Sequence, residues 1–586
     1  MIDFEVDVLP STLGLSPEKF PSFRPIQGQG LNYALDTDCR FKAFDMPTGS
    51  GKSLFYVAYA LLTGSRVLIL TGTKALQDQL LRDFASVGAV DIRGRNNYTC
   101  TTYSWLNCEE GAIAGCRACN GGSNTYGSRV AEAREAPIVV TNYTYYMLSS
   151  LYGEGLGKFD LLVLDEAHNA ADQVCDCASI HITAHEMFRL LRSRVPKGDL
   201  PDWITWASEN LRDAISTVEQ LKAAIQGGDR DKETMKDLKL WSALADKLTR
   251  LSVIAKEKLD TWVFEEKRDH KEETVWSIDP LWANEHVERL LFRGIERVML
   301  TSATLTELTL EFMGLTTQDK SHPYYCTLYN FPSVFPTSKS PIYRIDMGFR
   351  MSQTTEKDPG LMAQADEVMA QIVEARMDRN GLIHSVSYPR RDRIYDGLSR
   401  LGVDILITHD RNNLAAQVQE WIIAVEPRAM ISPALTTGYD LAYEACEYTI
   451  IPKLPFPDSS SKLVKARDEA SKRKYSLNLM AQTLVQMIGR DVRASDDQAE
   501  HFILDDNIFW ATKVKGLFPS RFTRLITRRD RKALPQPLPK LRRRLQSAPE
   551  IGTVEVTPQP RTVVRPIPPP DPAWTPGDET DDDIPF

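Results

Sequence analysis

Two patterns of hydrophobic and polar positions alternate along this chain. Short apolar runs that end in polar residues, Val67-Leu68-Ile69-Leu70 and Leu161-Leu162-Val163-Leu164, predict buried parallel strands of an α/β sheet. Phe41-Lys42-Ala43-Phe44-Asp45 is a weaker strand of the same kind, and Gly381-Leu382-Ile383-His384-Ser385 and Ala429-Met430-Ile431-Ser432 predict strands of a second sheet. From about 171 to 290 the pattern becomes helical, with helices expected over 183–193, 201–226 and 231–259. In the last of these, Leu238, Trp241, Ala245, Leu248, Ala255 and Leu259 recur at helical spacing with charges between them. Six of the ten tryptophans fall between Trp203 and Trp282, most of them expected in a core. From Pro535 onward proline recurs, as in Pro568-Pro569-Pro570. Such a stretch buries too little apolar surface to fold and is expected to be a disordered linker.

At 586 residues the chain is too long for one core, so three or four domains are expected. With 42% hydrophobic and 25% charged residues the composition is that of a soluble protein. No apolar run reaches the ~18 residues of a membrane span, and Met1-Ile2-Asp3-Phe4-Glu5 does not resemble a signal peptide. The net charge of −9 argues against whole-molecule attraction to nucleic acid but leaves room for a local basic channel. Arg521 to Arg544 holds ten basic residues and one acidic, a candidate phosphate-binding or linker segment.

The chemistry begins at Met46-Pro47-Thr48-Gly49-Ser50-Gly51-Lys52-Ser53. A glycine-rich turn between strand and helix exposes backbone N–H groups that cradle phosphates. Lys52 would reach the β- and γ-phosphates of ATP and the Ser53 hydroxyl would bind magnesium. Met46 replaces the first glycine of the strict consensus, so the match is to the looser form x-x-T-G-x-G-K-S. Asp165-Glu166-Ala167-His168 follows an apolar strand, which places Asp165 at the metal and Glu166 at the attacking water. Between these motifs lie Cys100, Cys108, Cys116 and Cys119, spaced C-x7-C-x7-C-x2-C. Nine cysteines, an odd number with four grouped at 100–119, read as metal ligation in a reducing compartment, not as disulfides. A zinc ribbon usually has two C-x-x-C hairpins and only one is present, whereas iron–sulfur clusters accept irregular spacing. An iron–sulfur cluster, zinc and a metal-free remnant all stay open on spacing alone. Cys175 and Cys177 have no third ligand nearby and are expected to be ordinary thiols.

With both ATP motifs placed, the chain resembles the XPD/DinG branch of superfamily 2 helicases over roughly residues 23–510. Phe23-Arg24-Pro25-Ile26-Gln27 resembles the adenine-reading segment, with Gln27 bonding the base, and Thr71 to Leu80 resembles motif Ia. Gly94 to Cys100 resembles the approach to the first cluster cysteine. Val139-Val140-Thr141-Asn142-Tyr143 resembles the strand and turn before the DEAH box, with Tyr143 in place of the usual histidine. Ser302-Ala303-Thr304 resembles motif III, and Gln486-Met487-Ile488-Gly489-Arg490-Asp491-Val492-Arg493 resembles motif VI. Motif V is the weakest match: Gly438-x-Asp440 is kept but Thr437 and Tyr439 depart from the pattern, and Asp440 would couple ATP to DNA.

The resemblance implies two RecA-like α/β motor domains, the first carrying an iron–sulfur insertion and a helical arch insertion that frame a hole for single-stranded DNA. It also implies a [4Fe–4S] cluster on the four cysteines, ATP and Mg2+ as cofactors, and arginine fingers at Arg490 and Arg493. Tyr98, Tyr103 and Trp105 could stack on bases or only shield the cluster. The expected limits are motor domain 1 at 1–95, 136–170 and 291–335, the cluster domain at 96–135, the arch at 171–290, motor domain 2 at 336–530 and the tail at 531–586. The last six residues, Asp581-Asp582-Asp583-Ile584-Pro585-Phe586, resemble the tip by which bacterial single-stranded-DNA-binding protein docks its partners. Ile584 and Phe586 would fill an apolar pocket and the carboxylates would meet basic residues. The function expected is a monomeric, cytoplasmic 5′-to-3′ helicase on single-stranded DNA, in a bacterial cell or a phage-infected host. A decoy that competes for the partners of the single-stranded-DNA-binding protein is the alternative.

Overall fold

The computed structural model describes residues 8–116, 125–149, 155–254, 258–268, 272–334, 336–435, 441–489, 492 and 496–540. Two seven-stranded parallel sheets organise it. The first runs Cys326–Asn330, Phe41–Asp45, Arg297–Ser302, Leu161–Asp165, Val67–Thr71, Ile138–Asn142, Ala89–Asp91 from edge to edge. Its strands show no polar alternation because both faces are covered. Leu68, Leu70, Leu162 and Leu164 pack into one apolar cluster, while Val67, Ile69, Leu161 and Val163 pack into another on the opposite face.

The second sheet runs Leu406–Ile407, Ala429–Ser432, Gly381–His384, Tyr448–Ile451, Glu500–Ile503, Ile342–Asp346, Ile526–Asp530. It is sandwiched in the same way, with Ile383 and Ile431 on one face and Leu382 and Met430 on the other. Its last strand corrects the reading of the basic segment: Ile526–Asp530 is an edge strand paired with Ile342–Asp346, not a linker. A charged edge is compatible with sheet structure and discourages pairing with a second chain. Nor does an unfolded stretch begin at Pro535. Arg376 donates to the Pro535 carbonyl at 3.2 Å and Arg379 to the Leu538 carbonyl at 2.8 Å. Arg376 is itself fixed by a buried ion pair with Glu500 at 2.8 Å. An extended proline-rich strand leaves its carbonyls free, and two buried guanidinium groups take them. The rest of the tail, 541–586, with the six-residue tip, lies outside the described residues.

Two insertions interrupt the first sheet. One, between Asp91 and Ile138, holds the helices Cys108–Ile113 and Tyr126–Glu135. The other contains the long helices Leu200–Gln226 and Lys232–Ile254, close to the expected spans. Of the expected helix at 183–193 only a short π-helical turn, Glu186–Leu190, forms. The insertion also contains an antiparallel sheet that its helical reading did not anticipate, in the order Ile180–Thr183, Thr274–Pro280, Trp262–Arg268. Trp276 and Phe264 from this sheet pack on Trp203 of the first long helix, each at 5.3 Å between ring centroids. Trp203, Trp206, Trp262 and Trp276 are buried, so most of these tryptophans are core. At the far end of the hairpin, Ile225, Met235 and Leu238 cluster with Cys100, Leu106 and Ala114, so the two insertions touch. Gln226 Nε2 donates to the Ala114 carbonyl at 3.2 Å across that contact.

Candidate nucleotide site and cysteine site

The strand Phe41–Asp45 runs directly into the phosphate loop, and the helix Lys52–Leu62 runs out of it. Gly49 and Gly51 have φ of 73° and 78°, a left-handed backbone that side chains with a Cβ rarely adopt. A Cβ on Gly51 would also overlap the Gln27 amide. Lys52 and Ser53 stand in the first turn of the helix, where N–H groups are unpaired and favour an anion. The Ser50 hydroxyl is buried without a partner among the described residues. The loop therefore fits a polyphosphate.

Asp165 and Glu166 sit at the end of Leu161–Asp165, opposite the loop. Glu166 has a φ of 49°, a strained position for a non-glycine residue and one that recurs at functional sites. Its Oε1 lies 3.3 Å from Lys52 Nζ. Its Oε2 accepts from Ser302 Oγ at 3.2 Å and lies 3.3 Å from His168 Nδ1. Burial alone would raise the Glu166 carboxyl, but Lys52 and His168 hold it well below the usual carboxylate range. Asp165 is pushed up to about 6 by burial and then by the Glu166 charge. Thr301 Oγ1 donates to Asp165 Oδ1 at 3.3 Å, and the buried Tyr143 hydroxyl donates to the Asp165 carbonyl at 3.0 Å. Tyr143 thus has a structural task at the position where the resemblance departs from its pattern. The buried carboxylate of Asp165 and the Ser53 hydroxyl, in the first turn of the helix that leaves the loop, are oxygen donors of the kind a magnesium ion takes.

Gln27 is buried and turned to the loop: its Oε1 accepts from the Arg24 N–H at 2.8 Å and its Nε2 donates to the Gly51 carbonyl at 3.0 Å. Arg24 also donates to the Gly49 carbonyl. These two residues brace the loop, a use beyond the base contact expected of Gln27.

The second sheet's domain closes over this site through the helix Lys474–Ile488. Gln486 Nε2 contacts His168 Nε2, and His168 Nδ1 lies 2.7 Å from Ser302 Oγ. Gln482 Nε2 donates to Thr309 Oγ1 at 3.1 Å, also across the cleft. A Cβ on Gly489 would stand 3.5 Å from Thr48 Oγ1, so the end of this helix faces the loop. Arg490, Arg493 and Asp440 lie outside the described residues.

Two of the four cysteines expected as ligands come together. Cys100 and Cys116 are within hydrogen-bonding reach of each other, and burial, the largest influence, raises the Cys100 thiol. Thr102 Oγ1 lies 3.0 Å from Cys116 Sγ. Cys108 is buried at the start of the helix Cys108–Ile113, and the backbone N–H of Cys100 donates to the Leu106 carbonyl at 2.9 Å. A Cβ on Gly111 would overlap the Cys100 sulfur, so glycine there gives the thiol its space. Cys119 lies outside the described residues, and among those described no three His, Cys, Asp or Glu side chains are close enough to hold a metal. Cys175 and Cys177 occupy one helix two positions apart. Burial pushes the Cys175 thiol up to about 12 and raises Cys177 as well, which fits ordinary protonated thiols. Tyr98 packs edge-on against Tyr126 and its hydroxyl accepts from the Arg93 N–H, while Tyr103 and Trp105 pack on the hairpin.

Sequence reasoning missed Arg467, which is buried, and Arg521, whose side chain is largely enclosed; both lie in contacts between the two halves. Arg467 donates to the carbonyls of Leu281 at 2.8 Å and Pro280 at 3.2 Å, and to the Tyr475 hydroxyl at 2.6 Å. It thereby ties the second domain to the antiparallel sheet under the hairpin.

Comparison with known proteins agrees with this geometry. The DEAD/DEAH box helicase family matches residues 24–194, and the helicase C-terminal domain matches residues 371–524. The ATP-dependent DNA helicase YoaA of Escherichia coli (strain K12) is 22% identical, over 88% of this chain and 97% of that protein. A solved XPD helicase structure superposes with a TM-score of 0.55 at 15% identity, covering 86% of this chain and 99% of that one. The structure of S. tokodaii Xpd4 gives a TM-score of 0.55 at 15% identity, covering 86% and 100%. The two parallel-sheet domains are RecA-like; the first carries the match to the DEAD/DEAH box helicase family and the second the match to the helicase C-terminal domain.

Proposed function

We propose that the chain is an ATP-dependent DNA helicase that moves 5′ to 3′ on single-stranded DNA. One observation carries this reading: the polar relay Lys52–Glu166–His168–Gln486, which joins the phosphate loop of one motor domain to the facing helix of the other. A change at the γ-phosphate that draws Lys52 from Glu166 is felt at once by His168 and Gln486. Hydrolysis and domain movement are thereby linked. DNA as the track is supported by the likeness to YoaA, whose name states a DNA helicase.

In this reading Lys52 leaves Glu166 for the phosphates, and Glu166, held ionised, orients and deprotonates the attacking water. Thr48, Gly49, Ser50 and Gly51 present backbone to the phosphates, with Arg24 and Gln27 bracing the loop from behind. Ser53 and Asp165 would hold the magnesium ion, which offsets phosphate charge when bound. Arg490 and Arg493 reach the developing charge across the cleft, and Asp440 relays to the DNA. Cys100, Cys108, Cys116 and Cys119 would hold a [4Fe–4S] cluster, which would cross-link the first insertion. That insertion and the hairpin it touches frame the path of the strand. Residues 541–586 act as a tether, and Asp581 to Phe586 dock onto proteins that bind the tip of single-stranded-DNA-binding protein. The site of action is the cytoplasm, and the working unit is a monomer. ATP hydrolysis by the purified chain, with and without single-stranded DNA and compared with Lys52→Ala, tests the reading. Hydrolysis stimulated by the strand and lost in the variant is expected; hydrolysis unaffected by the substitution overturns it.

A further inference from the structure

Asp45 is the last residue of the strand that enters the phosphate loop, and its carboxylate is fully buried. Its partner comes from the other motor domain. Arg521 lies in the short helix Ser520–Thr523, anchored by Phe522, which stacks on Phe518 at 5.1 Å in the second domain's core. Its guanidinium crosses the boundary and is almost wholly enclosed. Arg521 Nη2 donates to Asp45 Oδ1 at 2.8 Å, and Nη1 pairs with Oδ2. Nη1 also reaches the Asp45 carbonyl at 3.2 Å and the Phe331 carbonyl at 3.4 Å, while Nη2 donates to the Ala303 carbonyl.

These acceptors lie on three segments around the nucleotide site. Asp45 precedes Met46 of the loop, Ala303 follows the Ser302 that bonds Glu166, and Phe331 follows the last strand of the first sheet. The Met46 N–H in turn donates to the Ser302 carbonyl at 2.9 Å. Burial raises the Asp45 carboxyl, while Arg521 and then Lys52 act against that rise, so Lys52 lies within the field of Asp45. A planar fork suits this task, since it can pair with a carboxylate and still serve carbonyls.

The geometry points to Arg521 as a positioning residue for ATP hydrolysis. From the second motor domain it neutralises Asp45, which keeps Lys52 available to phosphate, and it pins Ala303, which keeps Ser302 on Glu166. This rests on ATP being the nucleotide at the loop. The residue lies beyond every helicase motif recognised in the sequence, within the basic run read there as a phosphate-binding or linker segment.

The test uses the full chain and three variants: Arg521→Met, Arg521→Lys and the double variant Asp45→Asn/Arg521→Met. Binding of a fluorescent ATP analogue is measured separately from steady-state hydrolysis, and thermal melting is followed for each. Arg521→Met should weaken nucleotide binding about tenfold or more, the scale of one charge-assisted contact, and should lower kcat as well. The double variant removes the unpaired carboxylate, so binding should return to within about threefold of the parent while kcat stays about tenfold down. Arg521→Lys keeps the charge but not the fork, so it should bind normally and turn over slowly. A purely structural role would lower only the melting temperature. Binding and kcat both at parental values in Arg521→Met, binding not restored in the double variant, or parental kcat in Arg521→Lys each overturn the proposal. If Arg521→Met does not fold, the other two variants decide. Should the parent fail to hydrolyse ATP, the helicase reading fails, while the binding arm still judges Arg521.

Discussion

Replacing Gly111 by alanine sets two effects against each other. The residue lies in the helix Cys108–Ile113, where alanine is favoured over glycine by about 1 kcal/mol. The added methyl, however, would occupy the place of the Cys100 sulfur and stand 2.9 Å from Cys100 Cβ. Cys100 cannot easily turn away, because it is buried and its N–H is bonded to the Leu106 carbonyl at 2.9 Å. Overpacking of this kind costs about 1–3 kcal/mol, so the net loss should be about 0–2 kcal/mol. That is too little to unfold the protein but enough to move one thiolate out of register with the others. Anaerobically purified parent should carry about four irons per chain, and Gly111→Ala should carry clearly fewer, with the far-ultraviolet circular dichroism unchanged. Full iron and sulfide in the variant would refute the confinement of Cys100. One zinc and no iron in the parent would reject the cluster itself.

Other assignments have their own expected outcomes. Glu166→Gln should still bind nucleotide but hydrolyse it orders of magnitude more slowly, and Arg490→Ala should lose about 10³–10⁵ in turnover, as arginine fingers do; parental rates would remove these assignments. Arg467→Met leaves two carbonyls, of Pro280 and Leu281, without their donor at about 1–3 kcal/mol each, so melting should drop and ATP-driven strand separation should fall; the half-exposed Asp172 adds little, being an ion pair open to solvent. Deleting Phe586 should abolish pull-down of proteins that bind the tip of single-stranded-DNA-binding protein while DNA-stimulated hydrolysis survives; unchanged pull-down would leave the tail a solvated acidic end, and a phenotype lost with the tip but kept in Lys52→Ala would favour the decoy.

How much was legible depended on the range of the interaction. Val67–Leu70 and Leu161–Leu164 were readable as strands because each is buried on both faces, which leaves an apolar run in the sequence itself. The loop at 46–53 was readable because its glycines answer a local backbone demand. Trp262–Arg268 and Thr274–Pro280 fall in a region whose spacing predicts helices, although Trp276-Ser277-Ile278-Asp279 in the second strand alternates with a period of two. The alternation is only four residues long, and both the helical spacing that ends at Leu259 and the unbroken charge of Glu265-Glu266-Lys267-Arg268 precede it. Arg467 and Arg521 had no local signature at all. Asp172 lies 295 positions from Arg467, and Asp45 lies 476 positions from Arg521, so only the folded chain brings them together. The basic run around Arg521 is uniform in sequence, yet it divides into a largely enclosed arginine and an exposed edge strand. Gln27 shows a third kind of limit. Its place beside the nucleotide site was foreseeable, but its amide can bond a base or a backbone carbonyl, and residue type does not choose between them.

In the proposed reading the relay from Lys52 to Gln486 turns ATP hydrolysis into directed movement on a DNA strand. Strand separation on duplexes with a single-stranded tail of either polarity tests it most directly. ATP-dependent release of the strand is expected from the 5′-tailed duplex, little from the 3′-tailed one, and none from either with Lys52→Ala. Equal release from both tails, or release that persists in Lys52→Ala, would contradict it.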